Sequence, residues 1–174
     1  MKKHILIIDT SILCVWLQIP GMEECGRDSD KWTFKRVDEK VNKERKDGTD
    51  FVLPIATIIE TGNHIAHIKG DKYKFVNAFA NLVEQTIDEN SPWIAFSRQS
   101  DMLQGENLRN LIQHWRETAI IEEQSLGDAS IADVANEFLK MDDCQVEIFT
   151  GDYGLKKYEN PEVQNSVIVP RRRK

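Results

Sequence analysis

Four consecutive aliphatic residues, Ile5 to Ile8, are followed directly by an aspartate, Asp9. A strand without a polar position has no face for water, so this run predicts a central parallel strand covered on both faces. Open parallel sheets bind ligands beyond the carboxyl ends of their strands, which is where Asp9 would lie. The alternative is that Asp9, Thr10 or Ser11 simply caps the helix that follows. The run by itself does not decide between these two interpretations.

The rest of the chain alternates short apolar runs with amphipathic stretches. Strands are predicted at about 4–8, 51–53, 93–96, 146–149 and 167–169. Helices are predicted at about 11–18, 31–46, 71–88 and 126–141, around Ile58–Ile65 and around Leu108–Trp115, with a polar loop from Pro20 to Asp30. The alternation is typical of the α/β class, as a three-layer α/β/α sandwich around a mainly parallel sheet.

The length of 174 residues allows one compact core, so a single domain is expected over 1–170, with a charged helical segment at 31–46 and a basic tail at 171–174. The first apolar run is broken by Asp9 and no small-residue cleavage site follows, which argues against a secretion signal and a membrane span. The three cysteines are scattered and odd in number, without the spacing of a zinc site or a disulfide framework. A reducing cytoplasm is therefore the expected location.

The formal net charge of −6 argues against a strong general attraction to nucleic acid. Nucleic-acid binding would need local positive charge or a metal ion. Residues 31–46 also carry several acids, which favours a solvated helix of mixed charge. The tail Arg171–Lys174 is uniformly basic.

A second strand that ends at a carboxylate is predicted at Val146–Phe149, followed by Thr150, Gly151 and Asp152. In a parallel sheet Asp152 and Asp9 would emerge at the same edge, where two negative charges repel. A divalent cation removes that repulsion, and hard carboxylate oxygens suit magnesium or manganese. The alternative for Asp152 is a turn residue, because Thr-Gly-Asp-Tyr-Gly is good turn chemistry.

Asp128 is a third candidate acid, at the start of the predicted helix 126–141. Helical periodicity places Asp128 on the same side as the apolar stripe, and Asp133 nearly opposite. Asp128 is therefore expected to face inward, and Asp133 to meet solvent. The alternative for Asp128 is a cap or first-turn acid favoured by the helix dipole, and both interpretations can hold together.

Glu60 is the fourth candidate acid, on a helix that Pro54 and Thr57 could start. Helical spacing places it on one face with His64 and His67. A surface acid is the plain alternative. A zinc site made by Glu60 and the two histidines is a further alternative, but no zinc-dedicated residues surround them.

In order and setting, these residues resemble those of a PIN-domain nuclease. The matching segments are Ile-Ile-Asp-Thr-Ser after the first strand, an internal Glu, Gly-Asp-Ala-Ser-Ile-Ala opening a late helix, and Phe-Thr-Gly-Asp-Tyr after a late strand. The resemblance spans nearly the whole chain and implies one or two Mg²⁺ or Mn²⁺ ions at the carboxyl edge of the sheet. It assigns metal binding and catalysis to Asp9, Glu60, Asp128 and Asp152, and supporting polar roles to Ser11 and Thr150.

The activity implied by this resemblance is metal-dependent hydrolysis of phosphodiester bonds, most simply by an endoribonuclease, without a covalent nucleophile. The resemblance suggests RNA as substrate, and a toxin of a toxin–antitoxin pair or a defence nuclease would fit this size. An antitoxin or regulatory protein and a homodimer are the partners to consider. Candidate contacts to the nucleic-acid backbone are Lys156, Lys157, Arg171, Arg172 and Arg173.

Two other functions remain open from the sequence. The acids could belong to a non-catalytic PIN-like scaffold that binds RNA or protein, although all four acids are present. A phosphatase of the haloacid-dehalogenase type would also place an aspartate after its first strand. That family requires a second aspartate two residues later, where this chain has Ser11.

Overall fold

The computed structural model of the protein describes residues 2–94 and 97–159. Its strands are β1 (Lys3–Ile8), β2 (Glu24–Arg27), β3 (Asp30–Thr33), β4 (Asp50–Val52) and β5 (Cys144–Phe149). Its helices are α1 (Thr10–Trp16), α2 (Phe34–Lys46), α3 (Ile55–Ala66), α4 (Tyr73–Ile87), α5 (Ser97–Ser100), α6 (Gly105–Ile121), α7 (Leu126–Leu139) and α8 (Tyr153–Lys156). Short 3₁₀ turns follow at Asp101–Leu103 and Lys157–Glu159.

The larger sheet has three parallel strands in the order β4-β1-β5. This arrangement confirms the predicted α/β class with a parallel sheet and helices packed on it. The register sets Ile8 opposite Phe149, the last residues of β1 and β5. Consequently Asp9 and Thr150, which follow them, leave the sheet side by side at its carboxyl edge.

Both faces of β1 are covered, as its unbroken apolar run predicts. Ile5 and Ile7 pack in a cluster with the buried side chains of α7, whereas Leu6 and Ile8 pack in another with residues of α1 and α2. All four of these side chains are buried. Helix α3 contacts both α1 and α7, which cover opposite faces of β1.

A short antiparallel hairpin, β2–β3, replaces the predicted polar loop, and helix α2 begins at Phe34 instead of about Lys31. The hairpin register pairs Cys25 with Trp32. Both side chains pack against the cluster that contains Phe149. Two inward residues on otherwise polar strands give too little alternation to indicate a hairpin in the sequence.

The predicted strand at 93–96 is also altered. Trp93 forms only an isolated parallel bridge with Phe51, beside β4. Ala95 and Phe96 lie outside the described residues, and so do the predicted strand at 167–169 and the tail 171–174.

Helix α6, Gly105–Ile121, extends beyond the predicted stripe and includes residues 119–121, for which the sequence indicated no element. Ile120 and Ile121 near its end are 84% and 80% exposed. Charged side chains such as Glu106 and Arg109 interrupt its apolar positions. None of the helices in the described ranges is both long enough and apolar enough to cross a membrane.

A network of charged and polar side chains joins α2 to the sheet around Glu44, which is buried. The Glu44 carboxylate accepts hydrogen bonds from Thr49 Oγ1 at 2.7 Å and Lys40 Nζ at 3.0 Å, and lies 3.1 Å from His4 Nδ1. Lys40 also donates to Glu147 on β5 at 3.1 Å. Helix α2 is therefore not merely a solvated charged helix, because its buried charge is matched by partners on β1, β5 and the loop before β4.

Candidate metal centre

Asp9 lies at the carboxyl end of β1, where it serves as the N-cap of α1. Its side chain is almost completely buried, with 6% of its surface exposed. The Oδ2 atom accepts hydrogen bonds from Ser11 Oγ at 2.7 Å and from Thr150 Oγ1 at 2.8 Å. No described residue donates to Oδ1. Asp9 is thus both a cap and a held carboxylate with one oxygen left for a ligand.

Thr150 connects the ends of β1 and β5. Besides donating to Asp9, its buried hydroxyl oxygen accepts from the backbone N–H of Asp152 at 2.9 Å. The N–H of Gly151 donates to Ser11 Oγ at 3.1 Å. These bonds fix the turn that carries Asp152 relative to Asp9. The predicted supporting residues Ser11 and Thr150 therefore both contact the predicted acid site.

Asp152 caps the short helix α8, because its Oδ1 accepts from the backbone N–H of Gly154 at 2.7 Å. The turn interpretation of this aspartate is therefore confirmed. The carboxylate remains largely solvent-facing and lies next to Asp128 across a shallow pocket of about 180 Å³.

Glu60 reaches the same edge from α3. Thr10 Oγ1 donates to Glu60 Oε2 at 2.8 Å, which places this carboxylate beside the residue that follows Asp9. The buried Thr57 hydroxyl, one turn earlier, donates to the carbonyl of Ile8 at 3.0 Å and holds α3 against the end of β1. Glu60 also contacts the start of α7, since a Cβ at Gly127 would lie 3.1 Å from its carboxyl carbon.

Asp128 lies in the first turn of α7, where its backbone N–H donates to the N-cap Ser125 Oγ at 3.0 Å. Burial raises the pKa of the Asp128 carboxyl, and a hydrogen bond with Ser125 opposes part of that rise. The negative charges of the other three acids raise this pKa further. All four predicted acids are therefore electrostatic neighbours at one edge of the sheet.

Nothing basic balances this charge among the described residues, where no lysine, arginine or histidine forms an ion pair with any of the four acids. At the same time, no three His, Cys, Asp or Glu side chains in the described ranges lie close enough to form a ready-made metal-binding group. The four carboxylates surround a common region without converging on one point. Binding of a cation would require their side chains to turn inward.

Asp133 was expected to meet solvent, and this expectation is confirmed only in part. The side chain is only partly exposed, and it lines a groove of about 400 Å³ between α6 and α7 together with His114 and Asn136. Burial raises the pKa of Asp133, with the charge of Glu137 adding to the rise. The groove forms because α6 packs against this side of α7, a contact that helical periodicity cannot reveal.

Lys157 lines the pocket that Asp128 and Asp152 share, whereas His64, His67 and Lys156 do not line it. His64 and His67 are exposed, and His67 Nδ1 contacts the carbonyl of Asn63 at 2.7 Å. Lys156 forms an ion pair with Glu159 at 3.8 Å, and Lys157 forms one with Glu122. Arg171, Arg172 and Arg173 lie outside the described residues.

The sequence interpretation missed two residues that shape the site. Thr10 orients Glu60, and its position directly after Asp9 was the available signal. Gly127 allows Glu60 to approach α7, and a glycine within the first turn of a helix was the available signal, since glycine is unfavourable there. Searches of known protein families, of curated proteins and of solved structures found no match to this chain.

Proposed function

We propose that this protein is a metal-dependent nuclease, most simply an endoribonuclease, that uses Mg²⁺ or Mn²⁺ held by Asp9, Glu60, Asp128 and Asp152. One observation carries the proposal: four acids from four separate segments lie around the carboxyl edge of a parallel sheet, and none of them forms an ion pair with a basic residue in the described ranges. Ligands of open parallel sheets bind at this edge. The resemblance to PIN-domain nucleases supports the same assignment.

The electrostatics favour a cation as the missing component. Burial raises the pKa of Asp128 most, and the charges of the other three acids raise it further, as expected for uncompensated carboxylates that share a site. An all-oxygen set of this charge suits hard divalent cations better than zinc or copper. A bound ion would offset this repulsion.

Hydrogen bonds hold three of the four acids through one carboxylate oxygen each. Ser11 and Thr150 hold Asp9 through Oδ2, and no described residue donates to its Oδ1. Thr10 fixes Glu60 through Oε2, and Gly154 fixes Asp152 through Oδ1, so each retains one free oxygen. A bound Mg²⁺ or Mn²⁺ would activate water and stabilise negative charge on the phosphate and on the leaving oxygen.

RNA is the proposed substrate on the strength of the PIN resemblance. Two basic residues near the site are compatible with an RNA substrate. Lys156 and Lys157 follow Asp152 on α8 and on the 3₁₀ turn. Both lysines have acidic partners, so they would contribute to backbone contacts only by exchanging those partners for phosphate. We further propose an antitoxin or regulatory protein, and a second copy of this chain, as its partners.

A non-catalytic scaffold is the second candidate, and one observation favours it. No group of three potential ligands is already assembled within the described residues, as a resting metal site would often show. On this interpretation Asp9 and Asp152 are only helix caps, which is a role that both do fulfil. Metal binding separates the two candidates.

The test measures Mn²⁺ and Mg²⁺ binding by calorimetry together with cleavage of a mixed RNA pool. The proposal expects binding and metal-dependent cuts in the wild type, and loss of both in Asp9→Asn with Asp152→Asn. Asp133→Asn is the matched control, because it removes an acid from the opposite side of α7 and should retain both properties. A wild type that binds neither ion and cuts neither RNA nor single-stranded DNA would establish the scaffold instead.

A further inference from the structure

The β2–β3 hairpin is fixed beside the acid cluster by three contacts. Cys25 and the backbone of Gly26 approach Gly151 so closely that a Cβ there would lie 2.8 Å from Cys25 Sγ and from the N of Gly26. Trp32 packs edge-to-face on Phe149, with ring centroids 4.8 Å apart. The hairpin therefore forms one wall of the carboxyl edge and is not a free loop.

The hairpin also contacts Tyr153, the residue that follows Asp152. The guanidinium of Arg27 lies over the ring of Tyr153, 4.2 Å from its centroid. The hydroxyl of Tyr153 donates to Asp30 Oδ2 at 2.7 Å. With its hydroxyl and one ring face held, Tyr153 still has 40% of its surface exposed. An aromatic ring is thus presented in a defined orientation one residue from a proposed metal ligand.

Arg27 differs from the other cations of this wall. Arg36 pairs with Asp30 at 2.6 Å, and Lys31 pairs with Glu24. In the parts of the chain that the structure describes, no carboxylate lies within 4.0 Å of the Arg27 guanidinium. Arg27 is therefore a cation of this wall whose charge is not matched by an ion pair within the described residues, and it lies over Tyr153, the neighbour of Asp152.

We propose that Arg27 and Tyr153 bind single-stranded nucleic acid, with Arg27 on a backbone phosphate and the Tyr153 ring stacked on a neighbouring base. An acidic edge repels a phosphodiester, so a chain of net charge −6 needs a local cation to hold the strand. An exposed aromatic ring next to an arginine is the pairing that single-strand binding proteins use, because every base has a face to stack. Base stacking selects a single strand over a duplex, whose bases are already stacked.

This inference rests on the proposed nuclease function for its substrate class, but its test does not depend on cleavage. Fluorescence anisotropy of labelled ten-nucleotide RNA and DNA strands is measured in EDTA, with the full chain carrying Asp9→Asn. Arg27→Ala and Tyr153→Ala should each weaken binding by about 5- to 100-fold. Separate RNA and DNA strands identify which of the two carries the recognised phosphate and base.

Conservative variants and a distant control guard against loss of folding. Tyr153→Phe restores the ring and should bind more tightly than Tyr153→Ala, and Arg27→Lys should bind more tightly than Arg27→Ala. Arg109→Ala is the matched control. Arg109 is exposed on α6. It precedes Glu122, the partner of Lys157, by thirteen residues, which is about 20 Å along a helix.

The outcomes separate the inference from the nuclease proposal. Equal affinities of Arg27→Ala, Tyr153→Ala and Arg109→Ala, or no binding of either strand by the parent, would overturn the inference even if the wild type cleaves RNA. Loss of binding in Arg27→Ala and Tyr153→Ala, but not in Arg109→Ala, would support the inference even if the wild type cleaves nothing. The protein would then be a scaffold that binds single strands without cutting them.

Discussion

Thr10 Oγ1 donates a hydrogen bond to Glu60 Oε2 at 2.8 Å, and this bond joins the turn after β1 to helix α3. The two residues are fifty positions apart in the sequence. Thr10 is 6% exposed, so water competes little for the bond. Because Thr10 directly follows Asp9, this bond fixes the position of Glu60 relative to Asp9.

Replacing Thr10 with valine should weaken Mn²⁺ binding by about 10-fold, because groups that orient metal ligands typically contribute that much to affinity. Valine preserves the shape of the side chain and removes only the donor. Thr10→Ser retains the donor and is the control, with affinity expected close to that of the wild type. Calorimetric titration measures both. Equal affinities for Thr10→Val and Thr10→Ser would show that Glu60 is not a ligand oriented by this bond.

Gly127→Ala should displace Glu60 from the start of α7, since the added Cβ would overlap its carboxylate. We expect Mn²⁺ affinity to fall by about 10-fold or more while the helix itself is retained, because alanine favours helix. Gly105→Ala is the matched control, as no atom lies within 4 Å of a Cβ at the start of α6. A Gly127→Ala protein that binds Mn²⁺ as well as Gly105→Ala does would contradict a metal role for Glu60.

Asp128→Asn should stabilise the metal-free protein and abolish its stabilisation by metal. Asparagine relieves the burial of the Asp128 charge and its repulsion by the other three carboxylates, and each kcal/mol gained raises the melting temperature of a chain of this size by about 2–4 °C. In the wild type, saturating Mn²⁺ should raise the melting temperature, because it binds only the folded state. Thermal unfolding with and without Mn²⁺ measures both effects. An Asp128→Asn protein that unfolds earlier than the wild type in EDTA would show that Asp128 is a stabilising first-turn acid instead.

The strand ends and their acids were predictable because the signals are local. The run Ile5–Ile8 has no polar position, and both Asp9 and Asp152 follow strands that the structure places in one parallel sheet. The register alone then brings Asp9 beside Thr150. Such features depend on residues within a few positions of each other in the sequence, or on the general geometry of parallel strands.

The hairpin and the orientation of the carboxylates could not be predicted, because both depend on contacts between distant segments. Cys25 and Trp32 indicate a hairpin only once Gly151 and Phe149 are known to lie against them. The inward face of Asp133 likewise depends on α6. Periodicity identifies the side of a helix on which a residue lies, but not which element packs there.

Glu44 provides a test of stability that is independent of the metal proposal. Burial raises its pKa, but hydrogen bonds from Thr49 and Lys40 and the charge of His4 outweigh burial, so the folded-state pKa is lowered. The stabilisation by the charged Glu44 is therefore complete above the ordinary Glu pKa of about 4.3 and is lost as pH falls through the folded-state pKa.

Glu44→Gln should cost about 2 kcal/mol at pH 7, and less at pH 3. The exposed Glu39→Gln control should cost under about 0.5 kcal/mol at either pH. Urea unfolding at both pH values measures these differences, and a Glu44→Gln cost that does not shrink at pH 3 would mean that lost packing, not the charge of Glu44, sets it.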